Sequence, residues 1–406
     1  MIRLDIAPAD DPRRTKLRDW LAANPDPSPQ LLARAGYVVP HWPEPYGLAA
    51  DPVEQLIIDE ELKAAGVRRP YNAVAIGWAG PTILTAGSDE QRERYLWPML
   101  TGEEFWCQLF SEPDHGSDLS NLSTRAVRDG DEYVVNGAKI WNSHAHLAKF
   151  GVLVARTDTE VRKHRGLSYF IVPMDLPGIT RQQITDPTGS RSFNAVFFDD
   201  VRLPVECRVG EEGDGWRLAK VTLGNERVSL SGDGALWGGG PSAFDLLDLV
   251  RDHGGCTDPV TRQELAHLYS EAICLQLIRA RTLSARLLGR PPGPEASVRK
   301  VLADEHGQRV MQVAKNLSGA AGMITEGAPM GADQCERFGR GSPTEGVHNW
   351  NYGFLFSPAL SIGGGTAEVQ RNIIGELVLK LPREPDVERE MTWAEAQVQR
   401  RVARAS

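Results

Sequence analysis

The chain has 406 residues, enough for two or three units at the usual ~150 residues each. Hydrophobic residues make up 41% and charged residues 24%, a globular balance that can bury a core without disulfide or metal staples. With 45 Lys+Arg against 54 Asp+Glu the formal charge is -9, which argues against nucleic acid as the main partner. No apolar run reaches the ~18 residues of a membrane span, and the first twenty residues lack the apolar core of a signal peptide. Cys107, Cys207, Cys256, Cys274 and Cys335 are scattered, with no CxxC pair. That pattern fits reduced thiols in a cytoplasmic protein better than a disulfide framework.

Residues 1–105 read as a helical domain. Asp51, Pro52 and Glu54 form a helix start ahead of LIIDEELKAAG, and Gly66 supplies the stop. Ser88 with Gln91 is a second capping box. From Trp106 the pattern alternates, and Asp129-Gly130 and Asn136-Gly137 are hairpin signals, because both dipeptides tolerate positive φ. Further short strands follow, so residues 106–210 are expected to form a compact β unit. Helical periodicity returns over 211–384. One long helix is expected from Pro259 to Gly289, with Leu265, Leu268, Ala272, Leu275 and Ile278 on one stripe. A second follows the PPGP break, carrying Val298, Leu302, Val310, Val313 and Leu317. Residues 385–406 are charged and poor in large aliphatics and read as a mobile tail. The class is α+β, helices then strands then helices.

HExxH, GxSxG and Walker A signatures are absent, and no metal site is expected. The glycines Gly210, Gly213 and Gly215 resemble a dinucleotide fingerprint only loosely and follow no βαβ pattern. More informative is the loop after the strand that starts at Trp106, where Gly116 and Ser117 can offer backbone N–H groups to an anion or a ring carbonyl.

Four blocks in order are similar to the acyl-CoA dehydrogenase family: FSEPDHGSDL (110–119), NGAKIWNS (136–143), VRLPVECRVGEEGDGW (201–216) and GGGTAEVQRNIIGE (363–376). The resemblance implies an N-terminal helical domain, a middle β-barrel-like domain and a C-terminal four-helix bundle, with FAD between the last two and a neighbouring subunit. It implies α,β-dehydrogenation of an acyl-CoA thioester, in which a carboxylate takes the α-proton and the β-hydrogen leaves as hydride to flavin N5. Carried over by position, Gln108, Leu109, Phe110, Ser111, Gly116 and Ser117 would line the flavin ring, with Ser117 also near substrate. Trp141, Asn142 and Ser143 would close its other side. Thr366 and Glu368 would contact the cofactor from the glycine turn, and Asn316 and Gly319 its adenylate end from a partner subunit. Arg251 matches an arginine that reaches the pyrophosphate across a subunit boundary.

The chain departs from the family pattern at its base. The usual glutamate position is Gly364, preceded by Gly363 where an aromatic is common. Counting from Trp216 leads to Glu226, where a minority of members carry the base, with Arg227 beside it as a substrate contact. In a water-poor pocket such a carboxyl would rise toward a useful general-base pKa. The Gly-Gly-Gly-Thr turn resembles an actinobacterial subgroup whose members often work as α2β2 heterotetramers on bulky substrates such as steroid side-chain CoA thioesters. A homotetramer is the other assembly implied, and an electron-transfer flavoprotein is the implied electron acceptor. The alternative is a non-catalytic structural subunit that completes the FAD site of a paralogous partner.

Overall fold

The computed structural model describes residues 7–70, 72–229, 235–236, 239–252, 254–288, 293–294, 296–319 and 350–405, with the side chains of 225–229, 286 and 404–405 outside that set. Each opening helix starts where its sequence supplies a cap. Helix α1 (Pro12–Ala23) follows Asp11, α2 (Pro29–Arg34) follows Ser28 and α3 (Pro52–Ala64) follows Asp51, each cap accepting from a first-turn N–H. A π-helical stretch, Ala73–Ala79, runs into α4 (Gly80–Ala86). Helix α5 (Asp89–Thr101) opens on the expected capping box of Ser88 and Gln91 and stops at Gly102, in left-handed conformation. Gln91 also donates to the carbonyls of Glu206 and Arg208, at 2.7 and 2.9 Å, tying α5 to the end of the sheet.

The middle of the chain is one mixed sheet: β1 (Trp106–Leu109), β2 (Arg125–Asp129), β3 (Glu132–Lys139), β4 (Phe150–Arg156), β5 (Leu167–Pro173), β6 (Ile179–Ile184), β7 (Phe193–Pro204) and β8 (Arg208–Val209). The order is β6-β7-β3-β2-β4-β5-β8, with β1 added parallel to β4. Asp129-Gly130 is the hairpin turn expected, since Asp129 pairs with Glu132 across β2 and β3. Asn136-Gly137 is not a turn. The β3–β7 ladder slips by one residue between Val135–Val201 and Gly137–Phe198, so Asn136 faces the bulge at Asp199 and Asp200. Asn136 holds that bulge by bonding the Asp200 amide and carboxylate, both at 2.9 Å. The dipeptide signal reports backbone permissiveness, which a bulge needs as much as a hairpin does.

Helix α6 (Gly215–Ser229) leads into the C-terminal bundle of α7 (Ala243–Asp252), α8 (Pro259–Leu287), α9 (Ala296–Leu317), α10 (Trp350–Phe356) and α11 (Ala367–Ile373). One core joins the opening helices to one sheet face and α6, a second fills the other sheet face, and a third lies inside the bundle. The stripe expected on α8 is buried at Leu265, Leu268 and Ala272. On α9 the expectation fails at both ends. Val298 and Leu317 are exposed, while Lys300, Asp304 and His306 are buried beside Val310, Met311 and Val313. Residues 385–406, read as a tail, contain helix α12 (Trp393–Ala405), which packs on the middle domain.

Candidate functional site

The site is built on the end of β1. Leu109 and Phe110 are buried, and the Phe110 ring meets Tyr169 edge-on at 6.0 Å, so their side chains belong to the core and only their main chain can face a ligand. Glu112 and His115 exchange main-chain hydrogen bonds at 3.1 Å, closing a tight turn over Pro113 and Asp114, and Gly116 and Ser117 follow it, exposed. Beneath the turn lies a buried ion pair. Glu112 accepts from Lys139 at 2.9 Å and from the amides of Ser123 and Thr124 at 2.6 and 2.9 Å. Lys139, with no exposed surface, also donates to the Phe110 carbonyl at 3.0 Å. Burial pushes the Lys139 ammonium below its usual pKa, against the pull of Glu112. Burial acts to raise the Glu112 carboxyl, but Lys139 and its other donors outweigh it and hold it below the carboxylate range. With most of its lone pairs and protons matched, the pair fixes the turn against the sheet.

The facing wall follows β3. Ile140 donates to the Ser111 carbonyl at 2.9 Å, joining the two segments. Trp141 then takes φ +62°, and its indole is 57% exposed with only an edge contact to Phe193 at 6.0 Å. A bulky residue in this conformation stays only where its surroundings hold it. Asn142 is the anchor: it exchanges main-chain bonds with Asn194 at 3.0 Å, and its side chain donates to the Gln108 carbonyl at 2.7 Å. Asn194 adds a side-chain bond to the Asn142 carbonyl at 2.9 Å and pairs with His146 at 3.2 Å. Ser143 is half-buried beside them. Gln108, Ser111, Trp141, Asn142 and Ser143 therefore form one platform, with Gly116 and Ser117 on its rim.

Helix α6 runs from the sheet into the bundle, packing on β5 and α9. Thr222 bonds Thr82 at 2.8 Å and Tyr169 at 3.0 Å, which pins α6 between α4 and β5. Glu226 lies one turn further along the same helix face, with Arg227 next to it. The side chains of both lie outside the described residues.

The glycine turn belongs to the bundle. Gly364 and Gly365 take φ +67° and +87°. Lys300 donates to Asp304 at 2.5 Å and to the carbonyls of Leu360 and Gly365 at 2.9 and 3.1 Å. Burial pushes Asp304 up to about 6, against the pull of Lys300. The buried Gln370 donates to the Gly364 carbonyl at 2.9 Å. Thr366 caps α11 through the Val369 amide, whereas Glu368 points to solvent. Asn316 is exposed near the end of α9, accepting from Gln312 at 2.9 Å, and Gly319 follows at φ +49°. Arg251 is exposed at the end of α7 and paired with Asp248 at 2.5 Å. These last three residues lie on the outer surface of the bundle, away from the platform's own contacts.

Three family models match in chain order: the acyl-CoA dehydrogenase N-terminal domain over residues 12–103, the middle domain over 107–201 and the C-terminal domain over 213–379. Over 357 residues the chain is 34% identical to the acyl-CoA dehydrogenase IpdE1 of Mycobacterium tuberculosis, covering 87% of each protein. The chain belongs to the acyl-CoA dehydrogenase family. It is 39% identical over 364 residues to acyl-CoA dehydrogenase FadE34 of the same organism, where it spans 89% of itself and only 47% of that longer protein. Among solved structures it is similar to the Tcur3481-Tcur3483 steroid acyl-CoA dehydrogenase, at TM-score 0.73 and 28% identity, covering 94% of this chain and 100% of that one. The ChsE4-ChsE5 complex of Mycobacterium tuberculosis matches at TM-score 0.71 and 30% identity, with the same coverage.

Acyl-CoA dehydrogenases are FAD-dependent oxidoreductases. The platform fits such a group. The buried amide oxygens Gln108 Oε1 and Asn142 Oδ1 make no hydrogen bond, although Asn142 touches the Gln108 main chain. Buried acceptors left open are costly unless a donor arrives, and a ring N–H supplies one. The exposed Trp141 indole offers a stacking face beside them. Among the described residues no cluster of His, Cys, Asp or Glu could hold a metal, and no helix is long and apolar enough to cross a membrane. The residues that brace the site, Asn194, Lys300 and Gln370, escaped the sequence reading: Asn194 and Lys300 act on main-chain carbonyls far along the chain, and Gln370 reaches back only to Gly364, but across a turn that no sequence pattern specifies. Lys139 gave a usable signal, a charge on the inward face of a strand.

Proposed function

We propose that the chain catalyses α,β-dehydrogenation of a bulky acyl-CoA thioester. The intact platform carries this reading: a half-buried Ser143, the open amides of Gln108 and Asn142 and the exposed Trp141 sit side by side, as a flavin edge requires. The platform residues would hold FAD, which would supply the hydride acceptor for the β-hydrogen. Glu226 takes the α-proton as general base, and Thr222 keeps α6 in the place from which position 226 can act. Ser117 and Arg227 help to seat the substrate, and Gly116 offers its amide at the platform rim. Thr366 and Glu368 approach the cofactor from the glycine turn, and Arg251, Asn316 and Gly319 reach the one held by a neighbouring subunit. Gly363 and Gly364 place no side chain above the turn, which leaves width for a sterol-sized acyl group. The similarity to a steroid acyl-CoA dehydrogenase supports that class. The working assembly is an α2β2 heterotetramer with a paralogous chain, and an electron-transfer flavoprotein re-oxidises the cofactor.

A second reading has one observation behind it: the usual base position is Gly364, which holds no carboxylate. On that reading the chain completes a partner's site without catalysing. Anaerobic addition of a steroid-derived acyl-CoA to the purified assembly, followed in the visible band, separates the two. Glu226→Gln should keep the flavin colour and slow bleaching by about a hundred- to ten-thousand-fold, the usual worth of a general base. Unchanged bleaching would remove Glu226 from the chemistry and favour the structural role.

A further inference from the structure

The C-terminal family model ends at residue 379, yet the chain continues into α12. This added helix docks on two neighbouring stretches of the middle domain, Asp118–Asn121 and Arg156–Val161. Its start is tied by main chain, Trp393 donating to Val161 at 2.8 Å and Ala394 to Thr159 at 3.0 Å. The Trp393 ring lies 4.4 Å from the Arg156 guanidinium. Gln397 donates to Asn121 Oδ1 at 2.7 Å, and Trp393 Nε1 reaches the Asn121 carbonyl at 3.4 Å. Arg400 joins Asp118 at 3.4 Å and Glu388 at 2.5 Å, and Lys163 lies 3.7 Å from Asp118.

The side-chain contacts of Trp393, Gln397 and Arg400 reach Asn121 and Asp118, within the stretch 118–122 that immediately follows Gly116 and Ser117. That stretch has no strand ladder of its own, only a 3-10 turn over Leu119–Asn121. From within, it hangs on Arg156, which donates to the carbonyls of Ser120 and Leu122 at 2.9 and 3.1 Å. From outside, α12 holds Asp118 and Asn121 and covers the guanidinium that does the inner work. A cation–π contact with a desolvated arginine is among the stronger contacts a single ring can make.

We infer that α12 is a positioning element of the platform, fixing Gly116 and Ser117 by clamping residues 118–122. The inference rests on the flavin reading for its purpose but on this chain's own contacts for its geometry. Trp393 is its central residue, acting through Arg156.

The test uses the full chain, Trp393→Ala, Trp393→Phe, and a control on the exposed face of α12, Val402→Ala. Amide exchange at Asn121, Leu122, Ser123 and Thr124 reads the clamp directly, while exchange in β3 reports whether the sheet stays folded. FAD affinity and the flavin absorption band read its effect on the platform. Trp393→Ala should speed exchange at these four amides about tenfold or more and weaken FAD binding by a similar factor, with β3 unchanged. Trp393→Phe should restore most of both, because a ring still faces Arg156, and Val402→Ala should alter neither. A chain lacking residues 386–406 should match Trp393→Ala. Unchanged exchange in Trp393→Ala and in the truncated chain overturns the clamp. Faster exchange with unaltered FAD affinity and spectrum overturns its link to the platform. If the intact assembly takes up no FAD at all, the proposed function fails, and exchange alone then decides whether α12 clamps residues 118–122.

Discussion

His144 shows how closely the platform is built at the level of single residues. It follows Ser143 with φ +55°, donates its amide to the Ser192 carbonyl at 2.7 Å and meets Phe105 edge-on at 5.9 Å. Burial, helped by His146, brings its imidazole down from 6.5 to about 4. The folded chain therefore keeps His144 neutral where the unfolded chain is already protonated. Its contribution to stability is full above pH 6.5 and is lost as pH falls toward 4. Asparagine tolerates the same left-handed backbone and does not titrate. The urea midpoint of His144→Asn should thus fall less between pH 7 and pH 5 than that of the parent chain. An equal fall in both would mean that the acid sensitivity comes from other groups. His146, bonded to Asn194, is likewise held below its usual pKa by burial and adds to the residual slope.

At the scale of elements, the β3–β7 bulge makes the sharpest demand on sequence. Gly137 sits at φ +147°, and a Cβ there would stand 2.5 Å from Thr124 Oγ1 and 2.7 Å from Thr124 Cα. Thr124 neighbours Ser123 and shares Glu112 with Lys139, so a displaced Thr124 would disturb the buried pair under the turn. Gly137→Ala should cost about 2 kcal/mol of unfolding free energy, from strain and overpacking together. A change within 0.5 kcal/mol, roughly that of an ordinary surface substitution, would show that the strand can give way. Caps and turns of this kind were legible in the sequence wherever one local bond defines them, as at Asp51 and Ser88. Asn136-Gly137 was misread because its signal is shared by hairpin and bulge. On α9 the apolar stripe misled for another reason. Lys300 and Asp304 are buried there because the carbonyls of Leu360 and Gly365 lie across the groove, about sixty residues on, and periodicity carries no trace of them. Helix α12 was hidden similarly, since its Arg400 is paired with Asp118, a partner the folded chain brings into reach, and with Glu388.

For the whole molecule, the order of helices, strands and helices was readable from pattern alone, and the platform's residues other than Gln108 lie within two of the four short blocks. Assembly was not. The described surface leaves Leu277, Leu288, Ile362, Leu379 and Leu381 exposed on the C-terminal half. A chain with that much apolar surface on one half is expected to associate. Light scattering on the purified chain should give a mass well above 44.6 kDa, and Leu379→Glu with Leu381→Glu should bring it down toward that value. A monomeric parent would point to a different chain as the cover for these residues. The glycine turn offers a last consequence. Lys300 and Gln370 grip it by carbonyl oxygens, atoms that every amino acid carries alike. The grip still leaves the turn no freedom of sequence, because Gly364 and Gly365 lie at φ +67° and +87° and a Cβ at Gly365 would stand 2.6 Å from Gln370 Nε2. The amide that holds the turn in place therefore also keeps it bare, so that in evolutionary terms its lack of side chains is conserved by its shape.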